Sequence, residues 1–214
     1  MLQSCSSGDS DNNTNTTTVS DIDGNVYQTV TICNQTWTKS NLNVTHYRNG
    51  DEIPQVTNGA QWAALTTGAW CYYANTSSNG ITYGKLYNWY AVNDPRGLAP
   101  SGYHIPTDGE WISLTQCVGG VGYGGKLKEA GTLNWLTPNV EATNSSGFTA
   151  LPAGIRSFYD GTFSELQRDT AWWSSTQAGA STDAWTRGLS YSTGTVSRND
   201  MLKKHGLSVR CVKD

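Results

Sequence analysis

The sequence predicts an α+β domain in which short helices flank an antiparallel sheet. Capped helical segments are short and lie in the first half, at Asn58–Leu65 and from Thr107 onward. Strand-like runs rich in β-branched and aromatic residues lie mostly in the second half. Helices followed by strands, with no strict alternation, are the pattern of an α+β fold. The 9 Trp, 11 Tyr and 23 Gly of the 214-residue chain supply ring area for one sizeable core and glycine for many tight turns.

The amino end is different material. Ser6 to Asp21 is almost entirely Ser, Gly, Asp, Asn and Thr, too polar to offset the entropy of ordering. Residues 1–20 therefore read as a flexible tether and residues 21–214 as one domain. Leu2-Gln3-Ser4-Cys5 resembles the end of a bacterial lipoprotein signal, so Cys5 is the expected lipidation site and Met1 stands in for a removed signal peptide. A lipid there, followed by a tether, would hold the domain off a membrane surface. That placement implies a surface-exposed outer-membrane lipoprotein of the bacterial cell envelope.

Asp21-Ile22-Asp23-Gly24-Asn25 opens the folded part as a tight turn; an EF-hand reading fails because Val26 and Ile32 stand where the loop needs Gly and Glu. Val26–Ile32 then alternates as a strand. Asn58–Leu65 makes one or two helical turns, with Asn58 or Thr57 as cap and Trp62 and Leu65 on one face. In Tyr83–Trp111 the rings of Tyr87, Trp89 and Tyr90 alternate with small and turn-forming residues, which excludes an ordinary amphipathic helix and predicts an irregular aromatic core. Thr107-Asp108-Gly109-Glu110 is a capping box, Trp111, Leu114 and Val118 form the stripe of the helix behind it, and Gly119-Gly120 stops it. A turn around Lys126–Ala130 follows. Strand-like runs come at Gly147–Ile155, Ala171–Thr176, Ala184–Tyr191 and Leu207–Val212.

Composition excludes several functions. Charged residues make up 14%, the net charge is −3, and the basic residues are scattered, so no surface tracks nucleic acid. Mean hydropathy is −0.49 and no apolar run is long enough to span a membrane as a helix; membrane contact is expected only through the lipid, and the domain is expected to be a monomer. With Cys5 lipidated, Cys33, Cys71, Cys117 and Cys211 suit two disulfides or buried apolar thiols, with no pairing deducible. His46, His104 and His205 stand apart from one another, and Asp183, Asn199 and Asp200 are too few for calcium, so no metal or other cofactor is expected.

Several ordered motifs, TVTICNQTW, TKSNLNV, YGKLYNWYAV, GLAPSGYHIPTDGEW, GFTALPAGIR, WWSST and GLSVRCV, resemble the Fibrobacter succinogenes major paralogous domain over roughly Asp21–Asp214. That family occurs in secreted and lipoprotein chains of Bacteroidetes and Fibrobacter relatives. Tyr103–Thr107 with Glu110-Trp111 also looks like the LPTEAEW segment of formylglycine-generating and sulfatase-modifying proteins, and Gly206–Cys211 like their closing strand. This second likeness implies a C-type-lectin-like fold, with the first and last strands, here Val26–Ile32 and Leu207–Val212, paired.

The enzymes of that group use two cysteines late in the chain; here only Cys211 lies in the last 97 residues, within an apolar strand where a structural thiol is the plain reading. Ser174 and Ser175 lack a G-x-S-x-G context, His104 sits beside a helix cap as a hydrogen-bonded structural imidazole, and Asp51-Glu52 falls among turns. The chain is thus expected to bind without catalysis, taking a protein or glycan ligand. The implied ligand face lies before the last strand and comprises Arg156, Tyr159, Trp173, Thr186, Ser190, Tyr191, Thr193, Arg198 and Asn199. Trp172 and Trp173 are expected to split between core and surface. Some relatives of the fold vary such positions through diversity-generating retroelements. A structural module of an adhesin or fimbria-like assembly is the second reading, and a formylglycine-generating-like enzyme the third.

Overall fold

A computed structural model describes residues 17–214. Cys5 and most of the expected tether lie outside these residues. The sheet begins earlier than the composition suggested: β1 (Thr18–Ser20) pairs antiparallel with β2 (Val26–Ile32) through Val19↔Tyr27. The boundary at residue 21 is therefore corrected, because backbone pairing can recruit a polar segment that has no core of its own to build. Between the two strands, the Asp21 carboxylate accepts hydrogen bonds from the backbone N–H of Asp23 and Asn25, and Gly24 takes φ +81°.

β2 turns into β3 (Gln35–Thr38), and β3 pairs with β12 (Val212–Lys213) through Trp37↔Val212. The carboxyl-terminal strand thus lies beside β3, not beside Val26–Ile32 as the lectin-like likeness implied. β6 (Tyr103–His104) completes a five-stranded sheet in the order β1-β2-β3-β12-β6. A short ladder joins β4 (Trp70–Cys71) to β5 (Leu86–Tyr87). The second five-stranded sheet contains β7 (Ala153–Arg156), β8 (Phe163–Leu166), β9 (Asp169–Gln177), β10 (Asp183–Ser190) and β11 (Ser197–Leu202), in the order β11-β10-β9-β7-β8. Its pairs are antiparallel except for the β7–β9 contact.

The helices are short. α1 (Gly59–Ala63) starts where the Asn58 carboxamide accepts from the Gln61 N–H, and it buries Trp62. α2 (Ser77–Tyr83) and α3 (Trp89–Val92) follow. α4 (Asp108–Cys117) has the expected capping box between Thr107 and Glu110, buries Trp111 and Leu114, and ends at Gly119-Gly120, where φ is +119° and +105°. A 3-10 segment at Val121–Lys126 leads into the turn expected around Lys126–Ala130.

The aromatic run is core, as its spacing predicted: Tyr83, Tyr87, Trp89, Tyr103 and Trp111 are all buried. β9 runs between two cores, and strand alternation sends adjacent rings to opposite sides. Trp173 joins Tyr47, Tyr87 and Trp89, while Trp172 joins Trp37, Trp111 and Phe148. Neither ring reaches the surface, which corrects the expected split.

Loops crossing this fold are held by buried cations bonded to carbonyls. Arg210 donates to the carbonyl oxygens of Thr38, Phe148 and Thr149 and to Asn41 Oδ1. Asn41 Oδ1 also accepts from Trp172 Nε1, and its amide donates to Tyr83 O and Ser208 Oγ. Each such cation satisfies several backbone acceptors that irregular segments would otherwise leave unpaired. Cys33 and Cys117 form a disulfide tying the β2–β3 turn to the end of α4, while Cys71 and Cys211 are free and buried. One bond therefore stands where the cysteine count suited two.

Candidate functional site

The nine residues expected on the ligand face do not converge. Arg156 is fully buried, its guanidinium 4.3 Å from the Trp62 ring centroid, with Nε bonded to Gly161 O at 3.0 Å and Nη2 to Thr57 O at 2.9 Å. It anchors β7 to the loop before α1. Trp173 is buried and donates Nε1–H to Tyr87 O, and Thr186 is buried with its hydroxyl on Asn199 O. These three are corrected to structural roles, because strand pairing and core burial consume their polar groups. The segment Thr186–Asn199, whose first part reads as the strand Ala184–Tyr191, is mostly the β10–β11 hairpin.

Arg198 is exposed but committed: it forks onto Asp108, the first residue of α4, and lies 3.4 Å above the Trp185 ring. Asn199 is exposed on β11, the edge strand. Tyr159 is 80% exposed in the turn after β7. Tyr191 is half-buried, with Arg168 Nη2 at 3.4 Å from its hydroxyl. Ser190 and Thr193 alone among the nine line a groove on the second sheet.

The groove follows from strand register. Ala171 stands opposite Gly188, and Gly188 opposite Ser197, so three small residues lie abreast across β9, β10 and β11. Larger Ile155 and Met201 flank them, leaving a trough of about 500 Å³. That is within the range of roughly 300–1,000 Å³ usual for ligand pockets. Its rim carries the carboxyl groups of Glu165 and Asp169 with the hydroxyls of Ser190, Thr193 and Thr195. Asp169 stands opposite Ser190 across the β9–β10 pair, and its Oδ1 is shielded from water without a hydrogen-bond partner. Glu165, near the end of β8, takes φ +66°. Neither carboxylate takes part in an ion pair among the described residues.

The rim is fixed from beneath. Lys128 is buried and donates from Nζ to the carbonyl oxygens of Val140 at 2.8 Å, Ser190 at 2.9 Å and Thr193 at 2.9 Å. Burial pulls its pKa down to about 8, partly offset by the field of Glu141. A groove whose loop is clamped this way is preorganised, so less ordering cost falls on binding. Glu165, Asp169 and Lys128 were not found by sequence reasoning. The signal available was the short alternation Phe163–Leu166 followed by Gln167-Arg168 and a second strand, a hairpin too brief to stand out from the surrounding loops.

Cysteine chemistry is quiet. Burial pushes the Cys211 thiol far up, and the Cys71 thiol up to about 11, so both are held as neutral thiols. His104 is hydrogen-bonded on both ring nitrogens, Nδ1 to Asp214 at 2.7 Å and Nε2 to Glu110 at 2.8 Å. No group of three or more His, Cys, Asp or Glu that could hold a metal ion occurs among the described residues.

The family model of the Fibrobacter succinogenes major domain matches residues 30–213, which hold all of the second sheet and the first sheet from the end of β2 onward. The chain belongs to this family. No curated protein and no solved structure matches it. In this member of the Fibrobacter succinogenes major domain family, the matched span includes every residue of the groove and of the Lys128 clamp beneath it.

Proposed function

We propose that this chain is a non-catalytic recognition module, displayed on a bacterial surface, that binds a protein partner in the groove of the second sheet. The observation that carries the reading is the pair of carboxylates outside any ion pair among the described residues, Glu165 and Asp169, on the rim of a rigid trough floored by Ala171 and flanked by Ile155 and Met201. Such a site complements a lysine or arginine side chain, whose aliphatic stem covers the apolar floor while its head meets the carboxylates. We read the fold behind it as C-type-lectin-like; two sheets, short helices and irregular loops, with the two ends of the described chain in one sheet, support that reading, although the last strand pairs with β3 and not with β2. Surface display rests on Cys5 as a lipidation site and the polar spacer after it.

The test is a surface-protein array screened with wild type, then with Asp169→Asn and Glu165→Gln. At least one partner is expected, and its affinity should fall about tenfold or more in each variant, since each charge-assisted contact contributes about 1.5–3 kcal/mol. Binding indifferent to both changes refutes the groove. Labelled lipid should enter the full-length precursor at Cys5, and incorporation unchanged in Cys5→Ala would remove the surface placement.

A further inference from the structure

A second cleft lies away from the groove, where the 51–54 segment, the 66–68 loop and the end of α3 meet. Its volume is about 440 Å³ and it is open to solvent. Trp89, Tyr90 and Pro95 supply flat apolar surfaces, and Glu52, Thr66, Thr67 and Asn93 supply polar ends. The side chains of Glu52, Thr66, Thr67, Tyr90 and Asn93 make no hydrogen bond among the described residues, where the side-chain bonds of this region belong to neighbours such as Asn88, Asp94 and Arg96. Five uncommitted polar side chains thus surround one cleft.

The walls are rigid. Arg96 is gripped by Asp94 through Nε at 2.8 Å and Nη2 at 2.9 Å, and by Asp51 through Nη1 at 3.1 Å, with its guanidinium 4.0 Å from the Tyr47 ring centroid. Asn88 pins the 66–68 loop by donating to Thr67 O at 2.8 Å and accepting from Ala69 N–H at 3.0 Å. Trp89 is fixed through Nε1 to Ser174 O at 2.9 Å. Behind Gly68, a residue of the cleft wall, lies the wholly buried Tyr47 hydroxyl, set against Asp94 and Arg96. A Cβ at Gly68 would stand 2.1 Å from that oxygen, so only glycine lets it approach the wall.

The chemistry selects a ligand class. The cleft is lined by the carboxylates of Glu52 and Asp94 and by one guanidinium, Arg96, which Asp94 and Asp51 already neutralise, so phosphate and other anions are disfavoured. An unbranched apolar ligand would leave the five polar groups desolvated without partners. A polyhydroxylated ring fits both requirements, with C–H faces for Tyr90 and Pro95 and hydroxyls that donate to Glu52 and accept from Asn93, Thr66 and Thr67. We infer that this cleft is a glycan-binding site for a neutral sugar, separate from the protein-binding groove.

The decisive experiment is calorimetric titration of the full chain with gluco-, manno- and galacto-oligosaccharides, and with inorganic phosphate as the anionic control. At least one neutral oligosaccharide is expected to bind and phosphate is not. Tyr90→Ala and Asn93→Ala, both at solvent-accessible positions, should each weaken that binding tenfold or more while leaving the melting temperature within a few degrees. Asp169→Asn in the distant groove should leave it unchanged. Absence of binding across the three sugar series, or affinity insensitive to both cleft variants, overturns the proposal. Sugar binding lost in Asp169→Asn but kept in Tyr90→Ala would move the glycan to the groove and overturn it equally, whereas the protein-array result for the groove is read independently.

Discussion

Replacing Cys33 and Cys117 together by Ser removes a covalent link between elements 84 residues apart in sequence. Folded contacts at the joint survive the change, because Trp37 and Trp111 still pack with ring centroids 4.7 Å apart and Ile32 and Leu114 share the same core. The loss therefore falls mainly on the unfolded chain, which regains the freedom of an open loop. For a loop of this length the chain-entropy relation gives about 15 cal/mol/K, or about 4.5 kcal/mol at 25 °C. Measured disulfide contributions usually run lower, about 2–4 kcal/mol, as the reduced chain keeps some structure. At about 2–4 °C per kcal/mol for a chain of this size, the melting temperature should drop by roughly 5–15 °C. The assay is urea unfolding of wild type and of the double variant, both without reductant, followed by tryptophan fluorescence, with the m-value compared to detect a changed unfolded state. A difference below about 1 kcal/mol, or a thiol titration of unfolded wild type that finds Cys33 and Cys117 reduced, would refute the reasoning.

Trp111→Ala should cost about 3–5 kcal/mol, since its ring is enclosed by Trp37, Phe148 and Trp172, and a negligible melting shift would contradict its place in the core. Asn41→Leu deprives the fully buried Arg210 of its side-chain acceptor and frees Trp172 Nε1, so a loss of about 3–5 kcal/mol is expected in the same unfolding assay. The His104 cluster predicts a pH window. Burial lowers the imidazole pKa, but hydrogen bonds to Asp214 and Glu110 outweigh it and hold the value above the ordinary 6.5. That contribution is complete below pH 6.5 and is lost as pH rises through the folded value. Glu110 sits below its ordinary 4.5, burial being outweighed by hydrogen bonds from Thr107 and His104, so its contribution is complete above pH 4.5 and is lost on acidification. The cluster should stabilise most between about pH 4.5 and 6.5, and Asp214→Asn should bring the His104 pKa down in an NMR titration; an unmoved titration would exclude the clamp.

Local signals were legible wherever a short stretch of sequence settles its own geometry. The Asp21–Asn25 turn, the Asn58 cap and the Thr107–Glu110 capping box depend on side chains bonding backbone a few residues away, the Val26–Ile32 strand on alternation of period two, and all occur as read. The groove was only half legible. Ser190 and Thr193 stood out as small polar residues before the last strand, but their usefulness depends on Ala171, Gly188 and Ser197 lying abreast, a property of cross-strand register with no local signature. Arg156 looked like a recognition residue because nothing in its neighbourhood of sequence reveals the carbonyls of Val56 and Thr57, about 100 residues earlier, that it satisfies.

By itself the sequence determined the family, the α+β class, the aromatic core and the helix that opens at Thr107, because residue spacing and capping chemistry act over a few positions. Tertiary structure alone decided that adjacent Trp172 and Trp173 fill two different cores, that Cys33 meets Cys117, and that the last strand joins β3. It also decided which polar groups remain free to bind. Buried cations and amides in this loop-rich fold bond to backbone far away in sequence, so a side chain is available to a ligand only where the folded chain has left it without a partner.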